Sequence, residues 1–150
     1  NILTNRYTKS IREEQGGTYG VGVSGNVSRE PVNSYNISMQ FDCDPAKAAE
    51  LKPLLYAEVD KVIKDGVTTE ELDKVVKNAL KESEQSKNHN GYWMSVLTSY
   101  YQMGIDLNDP KNYEEIMKSL TPKDVQDFTK RFFKNADVLD LILAPDSAKK

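Results

Sequence analysis

The sequence predicts an α+β fold in which an antiparallel-type sheet packs against helices. Two well-patterned strands follow one another with only a short polar turn between them. The segments after them carry helical spacing, each opened by its own start signal. The helices are therefore segregated from the hairpin in sequence, as in α+β rather than alternating α/β folds. At 150 residues, with 38% hydrophobic and 29% charged side chains, the chain reads as one soluble globular domain with enough apolar material for a core.

The first element is a helix over residues 2–15. Leu3, Tyr7 and Ile11 recur every four positions and give it one apolar face. Gly16 and Gly17 stop it, one of them free to adopt positive φ. A strand follows over 18–27, with Tyr19, Val21 and Val23 on one face. Gly20, Gly22 and Gly25 are costly inside a strand and point to close approach by another backbone or a ligand. After the polar turn 28–33, residues 34–43 form the cleanest strand. Tyr35, Ile37, Met39 and Phe41 point one way, and Asn36, Ser38 and Gln40 the other. The two strands are expected to pair as an antiparallel hairpin with one face on helices and the other wet.

Asp44-Pro45 supplies an N-cap and a first-turn proline for a helix to about Asp65, ended by Gly66. Its inward positions are Ala48, Leu51, Leu55, Val59 and Val62. Thr68-Thr69-Glu70-Glu71 is a capping box that opens the next helix, which carries Leu72, Val75, Val76, Ala79 and Leu80. That helix turns polar after Ser83, and Gly91 marks a break before a third carrying Trp93, Val96, Leu97, Tyr100 and Tyr101. Residues 106–110 read as a loop, followed by a short helix with Tyr113, Ile116 and Met117. Thr121-Pro122-Lys123-Asp124 starts the last helix, whose inner stripe is Val125, Phe128 and Phe132. Residues 138–144 read as a third strand ended by Pro145, and 146–150 as a polar tail; the domain proper is thus 1–145. Three strands are few for so many helices, and no strand leads into the first helix. Further strands of the domain are therefore expected upstream of Asn1, and the start at Asn1-Ile2-Leu3 without methionine reads as a processed or excised piece.

Composition narrows the function. A net charge of -3 and a pI near 5.3 argue against nucleic acid as a main partner. The longest apolar runs are too short for a membrane span. The single cysteine, Cys43, excludes an internal disulfide framework and reads as a small buried hydrophobe at a strand end. His89 is the only histidine, and one histidine flanked by asparagines does not make a catalytic zinc site, which takes three protein ligands. The carboxylate pairs Glu13-Glu14, Glu70-Glu71 and Glu114-Glu115 fall near helix ends and read as solvated faces or dipole partners, not as acid-base machinery. The serines have no base beside them and no nucleophile-elbow motif. Gly20-Val21-Gly22-Val23-Ser24-Gly25 fits G-x-G-x-x-G but lies within a strand pattern with no βαβ unit after it, so it reads as an accidental match.

Arg12 and Tyr19 remain, seven positions apart across the glycine turn. Two readings stand. In the plain one, Arg12 is a solvated helix residue and Tyr19 a core-facing strand residue on the face of Val21 and Val23. In the other, the turn aims two strong hydrogen-bond donors at one point, as needed to grip a peptide carbonyl or a developing oxyanion.

The run from Ile11 to Val21, Ile-Arg-Glu-Glu-Gln-Gly-Gly-Thr-Tyr-Gly-Val, closely resembles a motif of the pitrilysin/insulinase family of zinc metallopeptidases. The resemblance continues in order through Pro31, strand 35–41, Asp44-Pro45, Asp65-Gly66-Val67-Thr68 with Glu70-Glu71-Leu72, and Leu120-Thr121-Pro122-Lys123-Asp124-Val125. It implies a partial unit of the metallohydrolase fold of the pitrilysin and mitochondrial processing peptidase type, from the C-terminal half of a two-halved peptidase. It implies zinc in the N-terminal half of the parent, on an inverted H-x-x-E-H motif that this chain lacks. It also implies that Arg12 and Tyr19 reach a bound peptide across from the zinc, so that this segment alone binds no metal and cleaves nothing. The partners it implies are the N-terminal catalytic half and a peptide substrate. For bacterial relatives it is compatible with a periplasmic or exported parent. Two other roles stay open: a binding or assembly domain of a family member that has lost catalysis, and an unrelated α+β interaction module.

Overall fold

A computed structural model describes residues 1–14, 16, 18–29, 31–134 and 136–144, with the side chains of Glu14, Tyr19 and Asp109 outside that description. The expected tail 146–150 and the stop at Pro145 lie outside the described residues. Among those described, six α-helices accompany a two-stranded antiparallel sheet, so the fold is α+β. The chain divides into two compact units, one of residues 1–66 with the chain from Gln126 on, the other of residues 67–125.

The first unit holds the sheet. Helix α1 (Ile2–Tyr7) passes directly into a π-helix over Thr8–Glu14, where a single α-helix to residue 15 was expected. The apolar spacing still works, because Tyr7 and Ile11 are both 0% exposed and Leu3 packs against them. Tyr7 also donates its hydroxyl to the Leu55 carbonyl at 2.8 Å and lies 3.2 Å from the Met39 sulfur. That anchor ties the helix to two other elements at once. Gly16, at φ +55°, takes the chain out of the turn.

Strands β1 (Thr18–Ser28) and β2 (Ser34–Cys43) pair as the expected hairpin, with Val23 opposite Met39 and Gly25 opposite Ile37. On β2, Ile37, Met39, Phe41 and Cys43 are half-buried while Asn36, Ser38, Gln40 and Asp42 are exposed. Helix α2 (Ala48–Asp65) covers the apolar face. Tyr7, Ile11, Val21 and Leu51 form the centre of the core, with Met39, Phe41, Cys43, Leu54 and Leu55 around it. Asp44 caps the preceding 3₁₀ turn Pro45–Lys47 by accepting from the Ala46 amide at 2.9 Å. At the other end Gly66 (φ +79°) ends α2, and Gln126 donates its side-chain amide to the Ile63 and Lys64 carbonyls, satisfying groups that a helix end leaves open.

The expected third strand is not there. Residues 136–144 run without strand pairing, and Val138, Leu139, Leu141, Ile142 and Leu143 are exposed. A strand needs a hydrogen-bonding neighbour, and 138–144 has no ladder partner among the described residues. Side chains hold it instead: Asp140 accepts from Tyr56 at 2.7 Å and pairs with Lys52 at 2.7 Å. The hydrogen bonds from Lys52 and Tyr56 hold the Asp140 carboxyl below its ordinary value of 3.8. A depressed carboxylate stabilises the fold above the ordinary value and loses that contribution as pH falls through its own lower value. Asp140 is therefore expected to titrate below 3.8 when its side-chain carboxyl is followed by NMR, and to move back toward 3.8 in Lys52→Met.

The second unit is helical. Thr68 and Glu71 form the complete capping box of α3 (Thr69–Ser86), with Glu71 N to Thr68 Oγ1 at 3.1 Å and Thr68 N to Glu71 Oε2 at 2.8 Å. Thr68→Ala is expected to cost about 1 kcal/mol of stability, read as a lower urea midpoint at unchanged slope. Helix α4 (Asn90–Met103) ends at Gly104 in the left-handed region. Helix α5 (Asp109–Ser119) starts inside the stretch 106–110 that was expected to be loop, with Pro110 in its first turn. Lys87 links α3 to α5, reaching Glu84 at 3.0 Å and Glu114 at 2.5 Å. Helix α6 (Pro122–Lys134) opens as expected, Asp124 accepting from the Thr121 amide at 2.9 Å. Within the first unit its Phe132 ring lies 5.2 Å from that of Tyr35.

Candidate functional site

Arg12 lies in the last turn of the π-helix and is exposed. No ion pair or side-chain hydrogen bond to another described residue occupies its guanidinium, so its donors face solvent. The backbone supports it, since the Arg12 carbonyl accepts from the Gly16 amide at 3.2 Å. Ile11, one residue earlier, is fully buried and fixes the register of this turn.

Tyr19 is a backbone member of β1, and its side chain lies outside the described residues. Its setting is irregular in an informative way. Thr18 pairs with Cys43 and Val21 with Phe41, so three steps along β1 match two along β2. One extra residue is accommodated at Tyr19-Gly20, a β-bulge. Thr18 pins it: its hydroxyl accepts from the Gly20 amide at 3.2 Å and donates to the Gly20 carbonyl at 2.9 Å. A Cβ at Gly20 would meet nothing within 4 Å. Gly22, by contrast, has the Gln40 side chain 3.3 Å from where its Cβ would stand, which accounts for one of the three strand glycines.

A bulge re-aims side chains, and bulges and π-turns both concentrate next to functional sites. Here they flank one glycine turn, with Arg12 on one side and Tyr19 on the other. The sequence suggested the pair from spacing; the two backbone irregularities beside it were not readable from periodicity.

The other candidates fall away from this region. His89 is exposed at the N-cap position of α4 and makes no side-chain cap bond. Cys43 is half-buried at the end of β2 against the core. Among the described residues no three His, Cys, Asp or Glu side chains gather as a metal-ligand group, and the donor set does not fit a zinc ion. Gly20, Gly22 and Gly25 lie inside β1, with Gly22 opposite Gln40 and Gly25 opposite Ile37 of β2, so they do not form a phosphate-cradling loop. No helix among the described residues is long and apolar enough to cross a membrane.

Residues 1–79 match the family model of the peptidase M16 inactive domain. That match spans more than half of the chain, and the chain belongs to this family; the pitrilysin/insulinase resemblance is thereby borne out. A zinc protease PQQL-like from Arabidopsis thaliana is 26% identical over 113 residues, which cover 72% of this chain and 12% of the relative. Among solved structures, the periplasmic protease PqqL from Escherichia coli superposes with a TM-score of 0.71 at 20% identity, over 88% of this chain and 14% of that one. A peptidase M16 inactive domain from Pseudomonas fluorescens gives 0.69 at 17% identity, over 84% of this chain and 29% of that one. The likeness to these structures is one of fold. The chain spans a minor part of every relative named.

Proposed function

We propose that this chain is a non-zinc-binding segment of a zinc metalloendopeptidase and contributes substrate-binding donors to peptide hydrolysis. The observation that carries the reading is the placement of Arg12 and Tyr19 on a π-helix and a β-bulge on either side of one glycine turn. In this reading Arg12 holds carbonyl oxygens of the bound peptide. Tyr19 donates its hydroxyl hydrogen to the oxyanion of the tetrahedral intermediate or to an adjacent carbonyl. A phenol is suited to this role because it stays protonated near neutral pH and donates without transferring its proton. The guanidinium presents several fixed donors and keeps its charge.

This chain's own share of the chemistry is hydrogen-bond donation. In this reading the zinc belongs to the N-terminal half of the parent, as the family resemblance implies, and not to His89 or Cys43. That half and a peptide substrate are the partners in this reading. Membership in the inactive-domain family and the small share of each relative that this chain covers both support a part played within a larger peptidase.

The test is hydrolysis of unstructured fluorogenic peptides by the peptidase chain that contains this segment, with Arg12→Ala and Tyr19→Phe compared at matched folding and zinc content. A large loss of activity with zinc retained supports the reading. Unchanged activity returns both residues to structural roles. A wild-type chain that binds peptide but cleaves none assigns the domain to binding or assembly.

A further inference from the structure

We infer that a pocket between α4 and the segment 105–113 of the second unit binds the side chain of a lysine or arginine from a polypeptide. The inference rests on the reading of this chain as part of a larger peptidase only in drawing its occupant from a polypeptide. It rests on no role for Arg12 or Tyr19.

A sharp reversal builds the pocket. Gly104, at φ +67°, ends α4, and the Ile105 amide donates to the Ser99 carbonyl at 3.3 Å, which turns the chain back toward the helix it has just left. Asp106 then organises the loop. Its Oδ1 accepts from the Asn108 amide at 2.9 Å and from the Asn108 side chain at 3.1 Å. Pro110 follows in the first turn of α5, and the pair of Lys87 with Glu114 ties α5 to α3. On the other side Tyr92, Val96 and Ser99, spaced by four and three, share one face of α4. The space between measures about 210 Å³. Sites for drug-sized ligands and cofactors take about 300–1,000 Å³. A pocket smaller than these suits one long side chain whose backbone stays outside.

The lining selects the chemistry of that side chain. Val96, Ile105 and Pro110 are apolar and half-buried, a surface for a methylene stem. Tyr92 and Tyr113 add two aromatic rings, whose faces attract a cation. Among the described residues that line the pocket Asp106 alone is charged, so no basic group offsets it. Its Oδ1 is committed to Asn108, and no hydrogen bond or ion pair from a described residue occupies Oδ2. An apolar stem with a positive head uses all three features. An acidic side chain would meet like charge, and an apolar one would forgo both Asp106 and the ring faces.

Saturation-transfer NMR on the peptidase chain that contains this segment tests the inference with capped single residues as probes. Nα-acetyl-lysine N-methylamide and its arginine counterpart are expected to bind with millimolar Kd, as suits one partly exposed ion pair. The norleucine counterpart has the stem without the charge and is expected to bind about tenfold more weakly. Asp106→Asn should weaken the two charged probes about fivefold and leave norleucine unchanged. Asparagine keeps an oxygen that can accept from Asn108, so the loop is preserved in this variant. Tyr113→Leu keeps an apolar wall but loses the ring face, and should weaken the charged probes about threefold. Arg12→Ala and Tyr19→Phe should leave the Asp106-dependent binding unchanged, so that loss of hydrolysis and loss of this site read out separately. Norleucine binding as tightly as lysine, or lysine binding indifferent to Asp106→Asn, overturns the inference. Binding of n-butylammonium as tight as that of the lysine probe gives the pocket to a free amine and overturns it equally.

Discussion

Tyr19→Phe in the peptidase chain is expected to lower kcat by about 10²–10³-fold, equivalent to roughly 2.7–4 kcal/mol of transition-state stabilisation. The substitution removes one hydroxyl and keeps the ring, so whatever the ring packs against is preserved. A donor aimed at the developing oxyanion acts more strongly on the transition state than on the ground state. The loss should therefore fall on kcat and kcat/KM together, with KM little changed. Arg12→Ala is expected to behave differently. A guanidinium that holds carbonyl oxygens of the intact peptide binds ground and transition states alike, so KM should rise more than kcat falls. Arg12→Lys keeps the charge but loses the fork of donors, and should recover only part of the affinity. The split between the two variants separates site roles from folding damage, which would lower the active fraction without this pattern. Circular dichroism and zinc content, measured on the same preparations, close that question.

What the sequence disclosed and what it hid follow from the range of the forces involved. Caps are local: Asp44, the Thr68-Glu71 pair and Thr121-Asp124 are satisfied by atoms two or three residues away, and each was legible. The alternation along β2 and the four-residue spacing of Leu3, Tyr7 and Ile11 were legible because burial follows backbone period. The π-helix was not, since the same apolar spacing serves an α-helix and nothing in it marks the wider turn over Thr8–Glu14. Nor was the bulge, which exists only as a mismatch between two strands. Glu58 was missed for a similar reason. A glutamate on a helix reads as solvated, yet it is 6% exposed and accepts from Lys61 at 2.7 Å. The strand pattern of 138–144 was read from composition, but pairing belongs to two segments, and 138–144 has no ladder partner among the described residues. Arg12 and Tyr19 were found by resemblance and spacing. Periodicity alone favoured the plain reading, and the irregular backbone beside them is what the chain adds.

Leu51→Ala is expected to be the most damaging conservative change to the domain itself, at about 2–5 kcal/mol. Leu51 is 2% exposed and stands where α2 meets Tyr7, Ile11 and Val21, so the deletion opens a cavity walled by three elements. None of these walls can collapse freely. Tyr7 is held by its bond to the Leu55 carbonyl, and Val21 by its pairing with Phe41 just past the bulge. A site that cannot relax retains its cavity and lies toward the upper end of that range. Since a domain of this size has only about 5–15 kcal/mol of stability in total, a change of this size can leave it partly unfolded at physiological temperature. Leu97→Ala is the matched control: Leu97 is 43% exposed on α4, and its truncation should stay within about 0.5 kcal/mol. Urea unfolding followed by circular dichroism decides between them. Tyr7→Phe probes the anchor separately and should cost about 0.5–1.5 kcal/mol, the net worth of one hydrogen bond. It also carries a pH signature. Burial first, and then the neighbouring Glu58 carboxylate, raise the Tyr7 phenol well above its ordinary value of 10.0. The unfolded chain ionises this group at lower pH than the folded one, so wild-type stability should decline as pH rises past that ordinary value. In Tyr7→Phe this share of the alkaline decline should vanish, whereas in Leu51→Ala it should persist on a lower baseline.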